Sequence, residues 1–355
     1  MRRHVYHVRR RSLSGRRRGR NPMLAVYGVL LCLILGVGSS VFHVWERVFP
    51  SAALQASTQA ADAPRSLAAQ GTFRGTLQTA PETDEVVGRL LNLLDRELGE
   101  TISAQGAAVL DESGELIYGR NTDTQRSPAS MTKLMTAIVA LDAGCLDDMV
   151  TVGDLYSCYE DGSVLLYLEE GERIAMKDLL AALMVLSAND AAAAVAIHVG
   201  GSIEGFAQMM NDKAEELELV NSHFVNPHGL TAEGHYTTPR DMAQILRRAS
   251  GYETIRELAT LSEYHIESTG PDGETKEYDL KSGNPFANGS VTMEPFQYLC
   301  GKTGYTNAAG LCLAAAFEDT RDGERYYCVV MNSQAHFEDM TEAVSYLIER
   351  QDIAG

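Results

Sequence analysis

A nearly uninterrupted run of apolar and small residues, Met131 to Ala143, leaves this chain few alternatives to a helix buried on most of its sides. Pro128 stands just before the run, where its fixed φ suits the first helical turn, and Gly144 offers a stop. Ser130 and Lys133 lie at the first turn with the i, i+3 spacing that brings side chains together. The sequence therefore predicts a polar pair at the beginning of a buried helix.

The lysine of this pair suggests chemistry, because a lysine is rarely buried without a reason. The positive end of a helix disfavours an ammonium group, so a desolvated Lys133 could lose its proton and accept one from Ser130. That chemistry is acyl transfer through an acyl-serine. The alternative is a capping serine beside a lysine whose charged end reaches solvent.

Charge is distributed unevenly along the 355 residues. Residues 1–22 contain nine arginines and no acidic residue, so all 48 Asp and Glu side chains come later. The acidic remainder is not expected to bind nucleic acid, although a basic tail alone could. Leu24 to Trp45 is a run of 22 residues without a formal charge, which as a helix of about 33 Å would cross a bilayer.

The basic block beside the uncharged run predicts a membrane topology. By the positive-inside rule, residues 1–22 form a cytoplasmic tail, residues 23–45 a transmembrane signal-anchor, and the rest is exported. A cleaved signal peptide is the alternative, with Ser51-Ala52-Ala53 as the cleavage site. Residues 46–83 are rich in Ala, Ser, Thr, Gln and Pro, which is typical of a flexible linker.

Residues 84–355 are expected to form one folded domain. Strand signals at its two ends surround helix signals in the middle, which indicates an α+β fold. A hairpin is predicted around Asp111-Glu112-Ser113-Gly114. The other predicted elements are helices over Val87–Leu98, Met176–Leu186, Asp190–Val199, Ser202–Leu219, from Thr238, and Phe337–Arg350, and strands over Gly310–Phe317 and Tyr326–Asn332.

The six cysteines follow no C-x-x-C pattern, so a zinc knuckle is not expected. Cys32 lies in the uncharged span. Cys312 and Cys328 could face each other across a hairpin, but buried free thiols are an equally good interpretation for these two and for Cys145, Cys158 and Cys300.

Two further short motifs carry polar side chains in apolar surroundings. Ser187-Ala188-Asn189 interrupts two apolar helices, where its side chains are either caps or site residues. Gly301-Lys302-Thr303-Gly304-Tyr305 precedes an apolar strand and could bind a carboxylate by charge and hydrogen bond, or could be an exposed edge turn. Lys281-Ser282-Gly283 has a similar form, but Asn284-Pro285-Phe286 follows it, so a loop is expected there.

The three motifs occur in the order S-x-x-K, S-x-N, K-T-G, which is the order of the penicillin-recognising serine acyltransferases. Among these the chain resembles the serine D-alanyl-D-alanine carboxypeptidases, the low-molecular-mass penicillin-binding proteins of peptidase family S11. The resemblance covers about residues 100–335. It is carried by Pro128–Lys133, Leu186–Ala192, Asn226–Leu230 and Lys302–Thr306.

This resemblance implies a β-lactamase/DD-peptidase-like α+β fold: an antiparallel sheet flanked by helices, with a helical subdomain, here after a single N-terminal transmembrane helix. It also implies roles for the first two motifs. Ser130 would be the nucleophile and Lys133 the base that takes its proton. Ser187 would relay a proton toward the leaving amine, and Asn189 would orient Lys133 and the substrate amide.

The third motif would bind substrate. Lys302 and Thr303 would hold the terminal carboxylate, and Gly304 and Tyr305 belong to the same substrate-binding segment. The backbone N–H groups of Ser130 and Tyr305 would form the oxyanion hole. Cys300-Gly301 departs from the family pattern, which usually has a glycine followed by a branched apolar residue at this place.

The expected activity is removal of the terminal D-Ala from peptidoglycan stem pentapeptides, by a membrane-anchored enzyme with an extracytoplasmic catalytic domain at the cell membrane. Covalent inhibition by β-lactams is expected, with no cofactor, no metal and no nucleic-acid partner. The alternatives are a DD-endopeptidase acting on cross-links and a non-catalytic wall-binding protein that kept the fold.

Two other hydrolase classes are less well supported by the residues. A class A β-lactamase would add a deacylating glutamate, and the nearest match, Glu216, is out of register. A metal hydrolase could use His223, His228, His235 and Asp241, but their spacing does not place them on one helix face as H-E-x-x-H does.

Overall fold

The computed structural model describes residues 102–155 and 163–354. The predicted tail, membrane span and linker, the helix over Val87–Leu98, and Cys32 and Cys158 lie outside the described residues. In the part that is described, no helix combines the length and the apolar character needed to cross a bilayer.

A five-stranded antiparallel sheet forms the centre of the described domain. Its first hairpin is the predicted one at Asp111–Gly114, and the last strands follow one another along the chain. The order across the sheet is β2-β1-β9-β8-β7, which places β7 at an edge. The strands are β1 (Gly106–Leu110), β2 (Leu116–Arg120), β7 (Phe296–Thr306), β8 (Gly310–Asp319) and β9 (Arg325–Ser333).

Most of the helices lie between β2 and β7 along the chain. The predicted buried helix begins with a 3-10 turn, Ala129–Met131, and continues as α1 (Thr132–Asp142). The other helices are α2 (Met176–Ala181), α3 (Asn189–Gly200), α4 (Ile203–Glu216), α5 (Pro239–Ser250), α6 (Glu253–Ala259) and, after β9, α7 (His336–Ala354). Two of them have the predicted caps: the Ser202 hydroxyl accepts from Gly205 N–H at the start of α4, and the Thr238 hydroxyl accepts from Asp241 N–H at the start of α5.

A second antiparallel sheet of four strands stands beside the helices, with the order β3-β4-β5-β6. Its strands are β3 (Met149–Thr151), β4 (Arg173–Ala175), β5 (Glu263–Thr269) and β6 (Thr275–Lys281). The sequence interpretation missed this sheet and α6. Lys281, expected in a loop, is the last residue of β6, while Ser282 and Gly283 follow it outside the strand.

The five-stranded sheet separates two hydrophobic cores, because alternate residues of a strand point to opposite faces. On β8, Cys312, Ala314 and Ala316 belong to the core shared with the helical region. Leu313, Ala315 and Phe317 belong to the smaller core that includes the α7 residues Met340, Val344 and Leu347. The α+β class, with an antiparallel sheet between helices, is therefore confirmed.

The cysteine prediction is resolved in favour of free thiols. Cys312 lies in the core on the helical side, and Cys328 lies in the core on the α7 side, so the sheet stands between them. The suggested cross-hairpin disulfide is wrong for this reason. Cys145, Cys300, Cys312 and Cys328 are all free and buried.

Candidate active site

The predicted polar pair at the start of the buried helix is a direct contact. Pro128 precedes the 3-10 turn that contains Ser130, and Lys133 follows in the first turn of α1. Lys133 Nζ lies 2.8 Å from Ser130 Oγ. Lys133 is fully buried, so its amine does not reach solvent as the alternative interpretation required.

Two carbonyl oxygens also lie beside the Lys133 amine. Its Nζ donates to Asn189 Oδ1 at 2.7 Å and to the His228 carbonyl oxygen at 2.9 Å. Neither oxygen can donate a proton, whereas the Ser130 hydroxyl can. A neutral lysine amine can donate to both carbonyls and still offer its lone pair to the hydroxyl, so these contacts are compatible with Lys133 acting as the base.

The Ser187-Ala188-Asn189 motif forms the break between two helices, as predicted. Residues Ala182–Leu186 extend α2 as a π-helical turn, and Ser187 then adopts a left-handed conformation with φ +71°. Neither polar side chain caps α3, whose N-cap is Ala188 without a side-chain hydrogen bond. The break therefore serves to project Asn189 toward Lys133.

A loop outside the three motifs supports Asn189. Asn189 Nδ2 donates to Ser163 Oγ at 3.2 Å, which directs the amide oxygen toward Lys133. The next residue, Asp190, is fully buried and accepts hydrogen bonds from Leu166 N–H and Leu168 N–H. Sequence reasoning missed Asp190; a carboxylate within an apolar helix was the available signal.

The K-T-G motif lies within strand β7, which corrects the expectation that it precedes a strand and excludes an edge turn. Lys302 is 3% exposed and its Nζ donates to the Thr303 carbonyl oxygen at 3.1 Å. Burial lowers the pKa of Lys302 to about 7. Tyr305, by contrast, is 61% exposed.

Gly304 brings β7 against the turn that contains Ser130. A Cβ atom added at Gly304 would lie 3.0 Å from the backbone nitrogen of Ser130 and 3.1 Å from the Pro128 carbonyl oxygen. A side chain at this position would force the strand or the Ser130 turn to shift by a few tenths of an ångström. The strand that carries Lys302, Thr303 and Tyr305 is thereby joined to the Ser130 turn.

Loop Asn226–Leu230 packs against the Ser130 turn and contacts Lys133. Asn226 holds it, accepting from Gly229 N–H at 2.7 Å and donating to the Leu230 carbonyl oxygen at 3.0 Å. His228 Nδ1 accepts from Leu230 N–H, so His228 orders a tight loop, as the sequence suggested. Burial lowers the pKa of His228 to about 3.

The four residues considered for a metal site are engaged in separate contacts. His223 Nδ1 contacts the Gly234 carbonyl oxygen, His235 contacts Thr132 and Val225, and Asp241 accepts from Ser222 Oγ. Within 102–155 and 163–354, the cluster of potential metal ligands is an exposed one of His265, Glu267 and Glu277, which includes none of the four.

Direct contacts join only some of the motif residues. Ser130, Lys133 and Asn189 form a continuous hydrogen-bonded chain, and Gly304 adds its strand to their edge. Ser187 lies at the helix break two residues before Asn189. Thr132 and His235 contact each other at 2.9 Å beside the Ser130 turn; Thr132 was not among the predicted residues, and His235 was considered only as a metal ligand.

Comparison with known proteins agrees with this arrangement. The sequence profile of the Peptidase_S11 family, described as D-alanyl-D-alanine carboxypeptidase, matches residues 95–335. The D-alanyl-D-alanine carboxypeptidase DacF of Bacillus subtilis is 34% identical over 218 residues, which are 60% of this chain and 54% of that protein. The D-alanyl-D-alanine endopeptidase of Escherichia coli is 34% identical over 214 residues, 60% of this chain and 66% of the relative.

The fold is also similar to solved structures. The Streptomyces K15 DD-transpeptidase superposes with a TM-score of 0.63 and 30% identity, covering 69% of this chain and 97% of that one. The chain spans only about half the length of the curated carboxypeptidases that it matches first, 54% and 56%.

Proposed function

Because this chain belongs to the Peptidase_S11 family of D-alanyl-D-alanine carboxypeptidases, we propose that it is a serine hydrolase that removes the terminal D-Ala of peptidoglycan stem pentapeptides. The observation that carries the proposal is the 2.8 Å contact between Ser130 Oγ and the fully buried Lys133 Nζ. A buried amine beside a hydroxyl at a helix start is the arrangement of an activated serine nucleophile.

In the proposed reaction, neutral Lys133 takes the proton of Ser130 as Oγ attacks the carbonyl carbon of the penultimate D-Ala. The Ser130 and Tyr305 N–H groups stabilise the oxyanion. Ser187 passes a proton to the departing D-Ala amine, and the C–N bond breaks to leave an acyl-serine. Water then attacks the acyl-serine by the same steps and releases the tetrapeptide.

Substrate orientation falls to the remaining motif residues. Lys302 is a buried cation, and a terminal carboxylate is the partner that would satisfy its charge together with the Thr303 hydroxyl. Asn189 Oδ1 fixes Lys133 and its amide group can meet the substrate peptide. No step of this chemistry requires a metal or an organic cofactor.

The nucleophile is tested with a fluorescent penicillin, since a β-lactam would acylate the same hydroxyl. Ser130→Ala should abolish covalent labelling and D-alanine release while the thermal midpoint of unfolding stays close to that of the unchanged protein. Labelling that persists in Ser130→Ala would place the acyl-serine elsewhere. A protein that binds the wall without catalysis would not label at all.

A DD-endopeptidase is the second candidate, because one relative with 34% identity bears that name. A cross-linked D-Ala–amine bond also lies beside a carboxylate, so the same residues would serve. Incubation with a monomeric pentapeptide and with a cross-linked dimer separates the two activities. Cleavage of the dimer alone would move the assignment to endopeptidase.

We also propose that the enzyme is anchored in the cell membrane by residues 23–45, with residues 46–83 as a linker and the domain 84–355 outside. The nine arginines of residues 1–22 beside an uncharged span support this topology. Protease added to intact protoplasts should remove the domain. Protection of the domain would contradict the topology.

A further inference from the structure

The peptide that joins Ala129 to Ser130 is held from its carbonyl side. The Ala129 oxygen accepts a hydrogen bond from Thr132 Oγ1 at 2.8 Å. Gly229 packs so closely that a Cβ atom there would lie 1.9 Å from the same oxygen. Ala129 itself has a φ of +48°, which is uncommon for a residue with a side chain. Its conformation therefore depends on these contacts.

The Thr132 hydroxyl is in turn held by His235. Val225 N–H donates to His235 Nδ1 at 3.1 Å, so in the neutral ring Nδ1 carries no proton and Nε2 does. Nε2 lies 2.9 Å from Thr132 Oγ1 and donates to it, because the hydroxyl proton is already directed at Ala129. The hydrogen bonds run in one direction, from Val225 through His235 and Thr132 to the Ala129 carbonyl.

The neutral ring follows from its surroundings. His235 and Thr132 are both buried, and burial lowers the pKa of His235 to about 4. At neutral pH the ring therefore keeps one donor and one acceptor nitrogen, which is what the two neighbours require.

Fixing the Ala129 carbonyl also fixes the Ser130 amide, because a trans peptide is planar and its C=O and N–H groups point in opposite directions. On the other side of this peptide lies β7: a Cβ atom at Gly304 would be 3.0 Å from the Ser130 nitrogen. The peptide is thus held between Gly229 and Thr132 on one side and the K-T-G strand on the other.

We infer that His235 and Thr132 are positioning residues that keep the Ser130 N–H directed into the oxyanion hole. The inference rests on the proposed acyl-serine chemistry. Both side chains act through the Ala129–Ser130 peptide. A reversed peptide would present a carbonyl to the developing oxyanion, and loss of one hole donor typically costs about 10²- to 10³-fold in rate.

The experiment compares four variants by the acylation rate constant and the non-covalent binding constant of a fluorescent penicillin. Thr132→Val removes the hydroxyl and keeps the shape, whereas Thr132→Ser keeps the hydroxyl. His235→Gln places an amide donor near the Nε2 position, and His235→Asn places its amide near the Nδ1 position. We expect Thr132→Val and His235→Asn to acylate about 10- to 100-fold more slowly with little change in binding. The Ser and Gln variants should recover most of the rate.

A second measurement separates positioning from stability. A β-lactam and its thiocarbonyl analogue are compared, because sulfur fits an oxyanion hole poorly; the oxygen-to-sulfur rate ratio should fall in Thr132→Val. Ser250→Ala is the control, since Ser250 is buried and its Oγ donates to the Arg247 carbonyl oxygen at 2.8 Å at the end of α5, outside the site. It should lower the unfolding midpoint without changing this ratio.

The outcomes distinguish this inference from the function on which it rests. Unchanged acylation in Thr132→Val would overturn the positioning role, and so would an equal fall of the ratio in Ser250→Ala. If His235→Asn fails to fold, the acylation rate of Thr132→Val still tests the positioning role. An unchanged protein that is neither acylated by penicillin nor active on pentapeptide would instead overturn the proposed function.

Discussion

Lys302 is a cation placed where the folded protein disfavours its charge. Burial lowers its pKa from the ordinary value of 10.5 to about 7, so between these values the unfolded chain binds more protons than the folded one. Stability should therefore rise as pH rises from about 7 to about 10.5, and the penalty for burying the charge is fully present below pH 7. Burying the Lys302 charge therefore does not contribute to folding stability, which is compatible with the binding role proposed for it.

Lys302→Met should consequently stabilise the protein while it abolishes carboxylate recognition. We expect the free energy of unfolding at pH 7 to increase by about 1 to 3 kcal/mol, and D-alanine release to fall by two orders of magnitude or more, about the effect of removing a buried charged partner. Urea unfolding at pH 7 and pH 10 measures the first effect, which should shrink at the higher pH.

Thr303→Val is the control for this prediction, because it removes a hydroxyl from the same motif without removing charge. It should reduce activity with no gain in stability. If Lys302→Met proved less stable than the unchanged protein at pH 7, the Lys302 charge would have a partner in the folded state.

At the scale of the element, strand β7 contains two glycines with different neighbours. A Cβ atom at Gly301 would lie 2.3 Å from the Ala314 carbonyl oxygen, inside the sheet. A Cβ atom at Gly304 would instead meet the Ser130 turn at 3.0 Å. One glycine thus permits the pairing of β7 with β8, and the other permits its contact with the site.

Gly301→Ala should therefore lower the unfolding midpoint by several degrees, since about 1 kcal/mol shifts a domain of this size by about 2–4 °C. Gly304→Ala should change the midpoint less but reduce penicillin acylation by at least about tenfold, because β7 must move away from Ser130. Thermal unfolding and labelling rates on both variants check this. Equal effects of the two substitutions on both measurements would contradict the assignment of Gly301 to sheet pairing and of Gly304 to the site.

The elements that sequence reasoning identified are those with strong local signals. The helix α1 has a long apolar run, and α5 has Thr238 as cap and Pro239 at its first position. The strands β3 and β4 were missed because each has only three residues. The hairpin β5–β6 was missed because most of its side chains are polar and exposed.

The site could be predicted only as separate motifs. The pairing of Ser130 with Lys133 follows from helical spacing, but Asn189 lies 56 residues and His228 95 residues away along the chain. His235 was considered only as a metal ligand, because the role it has here depends on a contact with Thr132 across 103 residues. Contacts over such separations are set by tertiary packing.

At the scale of the whole molecule, two buried neutral histidines make the fold sensitive to acid. Burial lowers the pKa of His228 to about 3 and that of His235 to about 4, against 6.5 for an unperturbed ring. The unfolded chain therefore binds more protons below pH 6.5, and stability should fall as pH decreases from about 6.5 toward these values.

The loss of stability between pH 7 and pH 4 should amount to several kcal/mol, and His235→Gln should reduce it by about half because one of the two rings is gone. Urea unfolding as a function of pH, on the unchanged protein and on this variant, measures the slope. A parallel pH dependence in both proteins would mean that His235 is not the group responsible.

Three of the buried thiols in the described domain can also be used to follow the opening of the fold. Burial raises the pKa of Cys300 and Cys328 to about 12 and that of Cys312 to about 11, so these thiols should not react with an alkylating reagent while the fold is closed. Cys300 and Cys312 lie on one side of the central sheet and Cys328 on the other. Pulsed alkylation in rising urea, read peptide by peptide, would therefore time the loosening of each side separately. Simultaneous labelling of all three would show that the two layers come apart as one cooperative unit.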